Sequence, residues 1–188
     1  MTRVDVIADE RLLDDRHHWH EIRDFWSDGP VALVFLRQFG SAFALHQAAT
    51  FNAHQDEITS VGADVVFIGL GTPIQAFTFK QRARTRFTVL ATADQTLYRT
   101  MGLQRHRAGV TGPANVTALA GLVRDGVYPY QRTGDNAQLG GAFVATQGGR
   151  EVVWDFRARR AADIAAADEI VDALRRERRR TAAVAGPG

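Results

Sequence analysis

Six consecutive apolar residues, Val31-Ala-Leu-Val-Phe-Leu36, stop at Arg37-Gln-Phe-Gly40 and give way at Ser41 to a run with helical spacing. A strand that is apolar at every position, rather than at alternate ones, is covered on both of its faces. Such a strand, passing through a glycine break straight into a helix, belongs to the middle of a layered α/β sheet.

The flanking pattern extends this reading. Residues 63–70 form a second buried strand ending in Gly69-Leu-Gly-Thr-Pro73, and residues 87–91 a third. A helix is expected over 41–60, with Ala44, Ala48, Phe51 and Ile58 on one stripe, and another from Pro73, a residue suited to a first turn. Asp94 reads as the N-cap of a short helix closed by Gly102. Residues 140–145 and 151–156 form a hairpin around Gln147-Gly-Gly149, followed by a helix over 162–180 and a frayed tail over 182–188. Toward the N-terminus, residues 4–7 alternate like a strand, and 17–26 place Trp19, Ile22, Phe25 and Trp26 at helical spacing. Residues 106–135 are the least regular, with a helix over 115–123. The order predicts an α/β chain: a thioredoxin-like mixed β-sheet with helices on both faces, in one domain over residues 1–181.

Composition excludes more chemistry than it suggests. The chain has no cysteine, so disulfides, thiolate metal sites and thiol catalysis are all ruled out. Formal charge is only +2 although the pI is near 9.5, because nearly every cation is arginine and Lys80 is the one lysine. That bias reads as the composition of a GC-rich bacterial genome rather than as a nucleic-acid surface, since no aromatic residues are interleaved with a basic face. Arginines 175, 176, 178, 179 and 180 complement a helix dipole. No stretch has the length and apolarity of a signal peptide or membrane span, which makes the cytoplasm the expected compartment.

Several strings, taken in order, resemble one family. Val34-Phe-Leu-Arg-Gln-Phe-Gly40, Gly69-Leu-Gly-Thr-Pro73, Asp94 with Leu97-Tyr98 and Gly102-Leu103, then Gly134-Asp135, Gln138-Leu-Gly-Gly141 and Phe143-Val144 are similar to segments of peroxiredoxin-like proteins. These are the alkyl hydroperoxide reductase/thiol-specific antioxidant-like group of the thioredoxin fold. The resemblance implies peroxide reduction through a Cys-x-x-Cys pair at the helix start, followed by arginine. Here those positions hold Ser41, Ala44 and Leu45. A serine hydroxyl forms neither a sulfenate nor a mixed disulfide, so that activity does not carry over.

What remains is a helix N-terminus beside the carboxyl ends of buried strands, where ligands of α/β sheets collect. Ser41 and Arg37 are the candidate catalytic residues; Gln38, Phe39, Gly40, Thr72 and Gln138 are candidate substrate-binding residues. Such a crevice suits an oxygen-rich or anionic small molecule. The bland alternative makes Ser41 an N-cap and pairs Arg37 with Asp94. A serine nucleophile needs a positioned base, and His46 lies about 140° around the helix from Ser41. His17, His18 and His20 match no metal-ligand spacing and read as a solvated helix start; His106 reads as a loop residue. Tyr128 and Tyr130 either roof a pocket or pack on the sheet, with packing favoured.

The expected function is binding of a small-molecule ligand at the former active-site crevice, with a non-redox, cofactor-independent reaction of a biosynthetic pathway if the chain is an enzyme. A non-catalytic scaffold, or a thiol peroxidase whose cysteines were replaced, are the alternatives. No cofactor, metal, nucleic-acid or membrane partner is expected, and a homodimer is an assembly the sequence allows.

Overall fold

The computed structural model describes residues 4–105, 112–131 and 135–185. Seven strands form one sheet: β1 (Arg11–Asp14), β2 (Trp19–Glu21), β3 (Val31–Leu36), β4 (Asp64–Leu70), β5 (Thr88–Thr92), β6 (Gly141–Ala145) and β7 (Val152–Arg157). Their order is β2-β1-β5-β4-β3-β6-β7. Strands β3, β4 and β5 run parallel, with Val31 opposite Asp64 and Leu36 opposite Gly69. β6 pairs antiparallel with β3, β7 with β6, and β1 with β5.

β3 is buried at every position, as its unbroken apolar run requires. Successive side chains point to opposite faces. Ala32, Val34 and Leu36 therefore join Phe51, Phe67 and Phe79 beneath helices α1 (Ala42–Asn52), α3 (Pro73–Ala83) and α6 (Ala167–Ala185). Leu33 and Phe35 join Ile68, Leu90 and Trp26 on the other side, beneath α4 (Thr96–Thr100), which contributes Tyr98, and Met101 just beyond it. The sheet is mixed and covered by helices on both faces, as the pattern of elements predicts. Among the described residues, no helix is long and apolar enough to cross a membrane.

The N-terminal expectations need correction. Residues 4–7 hold a single 3-10 turn, Asp5–Ile7, instead of a strand. Residues 17–26 are not one helix but strand β2 followed by a 3-10 helix, Ile22–Trp26. The Asp14 carboxylate accepts the amides of Arg16 and His18 at 2.8 Å each, closing a tight β1–β2 turn in which His17 has φ of 66°. Ile22 and Trp26 stay buried at helical spacing, whereas Trp19 is 58% exposed on the edge strand.

Other boundaries shift for local reasons. The helix expected over 41–60 divides at His54 into α1 and α2 (Gln55–Ser60), and the His54 ring lies 2.9 Å from the Glu57 carboxylate. The N-cap of α4 is Gln95, one residue beyond Asp94, although the Asp94 carboxylate accepts the Thr96 amide at 2.7 Å. α5 (Pro113–Arg124) is longer than 115–123. α6 starts at Ala167 because Asp163 holds the amides of Arg159 and Arg160 in a turn, and it continues to Ala185 into the segment expected to fray. His106 and Gly134 lie outside the described residues.

Candidate functional site

The site is built where β3 ends. The buried Tyr98 hydroxyl reaches the carbonyl of Leu36 at 2.6 Å and that of Ile68 at 3.0 Å, sharing one proton between the ends of β3 and β4. Burial pushes the Tyr98 phenol far above its ordinary range, so it stays a neutral donor. Beyond Leu36 the chain turns inward. Phe39 is fully buried against Phe79 and occupies the space that a side chain at Gly69 would need, since a Cβ there would come within 2.4 Å of the Phe39 ring.

Gly40 then passes beneath the segment following α5. The Tyr130 amide donates to the Gly40 carbonyl at 3.1 Å. A Cβ on Gly40 would lie 1.5 Å from the Gln131 carbonyl oxygen, so only glycine fits. Ser41 is the N-cap of α1 by its extended dihedrals, φ −78° and ψ 137°, yet its hydroxyl makes no capping bond. The hydroxyl finds no other hydrogen bond among the described residues although Ser41 is only 4% exposed. The capping role expected of that hydroxyl is therefore not what the structure shows.

These elements enclose a cleft of 480 Å³. One wall is Arg37, Gln38, Gly40, Ser41, Ala42 and Phe43; the other is Leu119, Pro129, Tyr130, Gln131 and Asn136. Arg37 donates through Nη2 to the Asn136 carbonyl at 2.7 Å, while its Nε is enclosed without an acceptor. Burial lowers its pKa from the usual arginine value. No aspartate or glutamate lines the cleft, and Arg37 has no carboxylate partner among the described residues. The Arg82 guanidinium stacks 4.3 Å from the Tyr130 ring centroid. The Tyr130 hydroxyl is enclosed and unpartnered; burial, opposed by the Arg82 charge, pushes it up to about 12.

Four of the seven candidate residues, Arg37, Gln38, Gly40 and Ser41, meet in this cleft. Phe39 turns into the core instead. Thr72 caps α3 in a reciprocal pair with Gln75, accepting its amide at 3.4 Å while the Gln75 side chain accepts the Thr72 amide at 2.9 Å. Gln138, 1% exposed, donates to the carbonyls of Gln104 and Leu139 at 3.1 and 3.0 Å, fixing the approach to β6. The pairing of Arg37 with Asp94 does not occur, because the Asp94 carboxylate accepts the Thr96 amide and lines a different depression with Arg11 and Trp19. Tyr130, for which packing on the sheet was expected, lines the cleft, and Tyr128 is exposed. Leu119 joins the site from α5, where a helix was expected without any sign of which face meets the cleft, and Asn136 joins it from outside any regular element, so no sequence signal pointed to either.

Remaining clusters are remote. His18, in the β1–β2 turn, and His20, on β2, lie 3.3 and 3.1 Å from the Asp14 carboxylate, at the edge of the sheet away from β3. A groove of 560 Å³ lies between the β6–β7 turn and α6. It is at the opposite end of β3 from Arg37, since Ala145 pairs with Val31. Its Glu177 and Glu151 carboxylates are already engaged by Arg180.

Comparison with known proteins agrees with this architecture. The sequence pattern of the AhpC/TSA antioxidant enzyme family matches residues 50–160, beginning just past the loop that carries Ser41. The chain is 26% identical over 144 residues to a prostamide/prostaglandin F synthase of Salmo salar, covering 72% of this chain and 70% of that protein. Its structure is similar to that of peroxidoxin BcpB from Mycobacterium tuberculosis, with a TM-score of 0.68 and 21% identity over 94% of this chain and 97% of that one. Xanthomonas campestris peroxiredoxin Q gives a TM-score of 0.69 at 15% identity, over 95% and 97% of the two chains. At those identities the structural likeness shows the fold alone. With its fold and the greater part of its sequence in agreement, the chain belongs to the AhpC/TSA antioxidant enzyme family, as a member that contains no cysteine.

Proposed function

We propose that this protein binds a small organic molecule in the cleft at the N-terminus of α1 and acts on it, where it acts at all, without redox chemistry. The observation that carries this reading is the pair Ser41 and Arg37. The hydroxyl of Ser41, a residue only 4% exposed, makes no hydrogen bond among the described residues, and it stands in the same cleft as a guanidinium that has no carboxylate among them and an enclosed Nε without an acceptor. Buried polar groups are nearly always satisfied within a protein, and exceptions call for a functional reason. A ligand oxygen supplies what both groups lack.

Any catalysis here uses positioning and hydrogen bonding, with Arg37 stabilising negative charge as it develops and Ser41 donating to the same oxygen. Among the described residues no histidine lines the cleft, which argues against a serine nucleophile. A cofactor-independent step of a biosynthetic pathway fits such a site. The named fish relative supports a small organic substrate, because the product in its name is one.

The test compares ligand binding by Arg37→Ala, Gln38→Ala and Ser41→Ala variants in native mass spectrometry. The reading expects these three to lose bound ligand, whereas Thr72→Ala and Gln138→Ala change stability and leave binding in place. Unchanged binding in all three cleft variants contradicts it. A second reading, a peroxidase with replaced cysteines, has family membership in its favour. It predicts peroxide turnover on restoring both residues, Ser41→Cys with Ala44→Cys; the binding reading predicts none.

A further inference from the structure

We infer that the ligand of this cleft is a monocarboxylate with an apolar body, its carboxylate held by Arg37, Ser41 and the first amides of α1. This rests on the reading of the cleft as a binding site and adds the chemistry of what fills it.

Among the described residues, charge argues for a ligand with a single negative charge. Arg37 is the only fully charged side chain lining the cleft among the described residues. The N-terminus of α1, an eleven-residue helix, adds roughly half a positive charge. A phosphate monoester, with nearly two negative charges, would remain under-neutralised there. A carboxylate matches the sum, and its planar shape matches the guanidinium fork.

The hydrogen-bond inventory agrees. The cleft presents donors: the Ser41 hydroxyl, which makes no hydrogen bond among the described residues, and the Arg37 guanidinium, whose only acceptor among them is the Asn136 carbonyl. A carboxylate is an acceptor only, which is the complement required. Beyond this polar end the wall becomes apolar, through Phe43, Leu119 and Pro129. A carboxylate carrying an alkyl or aryl body buries that body here, whereas a small hydrophilic acid leaves the wall uncovered.

The experiment titrates the intact protein with benzoate, octanoate, benzamide and phenyl phosphate, following backbone amide signals by two-dimensional NMR. The expected result is saturable movement of the Gly40, Ser41 and Ala42 signals with both carboxylates. Benzamide should bind about 10-fold more weakly or worse, since it lacks the charge-assisted bond. Arg37→Met should weaken benzoate by about 10-fold or more while leaving the rest of the spectrum in place. Benzamide binding as tightly as benzoate, or phenyl phosphate binding more tightly, overturns the carboxylate assignment and leaves the cleft a binding site. Failure of every probe to move any cleft signal overturns both. The benzoate and benzamide comparison uses the unaltered protein, so the assignment stays testable if Arg37→Met does not fold.

Discussion

The Tyr130 amide donates to the Gly40 carbonyl at 3.1 Å, and Gly40 has no room for a Cβ because the Gln131 carbonyl occupies that space. The loop after β3 and the segment after α5 are therefore locked face to face. Between them stand the two walls of the cleft. The shape of the site depends on this contact as much as on the residues that line it.

Gly40→Ala is the direct probe of that lock. The added methyl forces the two backbones apart, at a cost of about 1–3 kcal/mol for overpacking. Urea unfolding should show the loss, and the Tyr130 amide should exchange with solvent faster than in the parent.

Tyr98→Phe tests the tie between strand ends. It removes the one hydroxyl that serves the carbonyls of Leu36 and Ile68 while keeping the buried ring. The expected loss is about 1–3 kcal/mol, the cost of leaving a buried polar group with a partner missing. A stability equal to the parent would mean that the tie contributes nothing to where Arg37 is placed.

Ser41→Ala should behave oppositely. A hydroxyl that makes no hydrogen bond among the described residues adds little to the fold, so the free protein should change by less than about 0.5 kcal/mol or gain stability. A substitution neutral for folding yet damaging for binding marks a residue kept for its ligand. Thermal unfolding of the ligand-free variant beside its binding measurement separates the two effects.

Acid stability should reveal Asp14. Its burial pushes the carboxyl up, but hydrogen bonds from the His18 amide, the His20 ring, the Arg16 amide and the His18 ring outweigh this and bring it to about 2, from an ordinary 3.8. A folded-state pKa below the unfolded one stabilises above the unfolded value and stops stabilising as pH falls through the folded one. Asp14→Asn should therefore be less stable than the parent at pH 5, with the gap closing as pH falls below 3.8 toward about 2. Urea midpoints across that range check the sign.

What the sequence made legible follows from burial. Strands β3, β4 and β5 are covered on both faces, so they stand out as unbroken apolar runs, and the end of β3 led directly to Arg37 and Ser41. Strands β1 and β2 are short and lie at one edge, where the exposed Trp19 imitates helical spacing with Ile22 and Trp26. Nearness to a strand end did not settle side-chain direction. Phe39 took the space Gly69 leaves, Thr72 took the α3 amides, and Gln138 took two loop carbonyls. Tyr130 and Asn136 reach the cleft through contacts nearly a hundred residues away along the chain, which no local pattern encodes.

The most direct test of the central claim is crystallographic. Crystals of the protein soaked with a library of neutral and anionic organic fragments show where small molecules settle. Fragments should gather against Ser41 and Arg37, and should be displaced when Ser41→Trp fills the cleft. Fragments seated only elsewhere, for instance in the groove by Thr146 and Arg180, with none beside Ser41, would contradict the account.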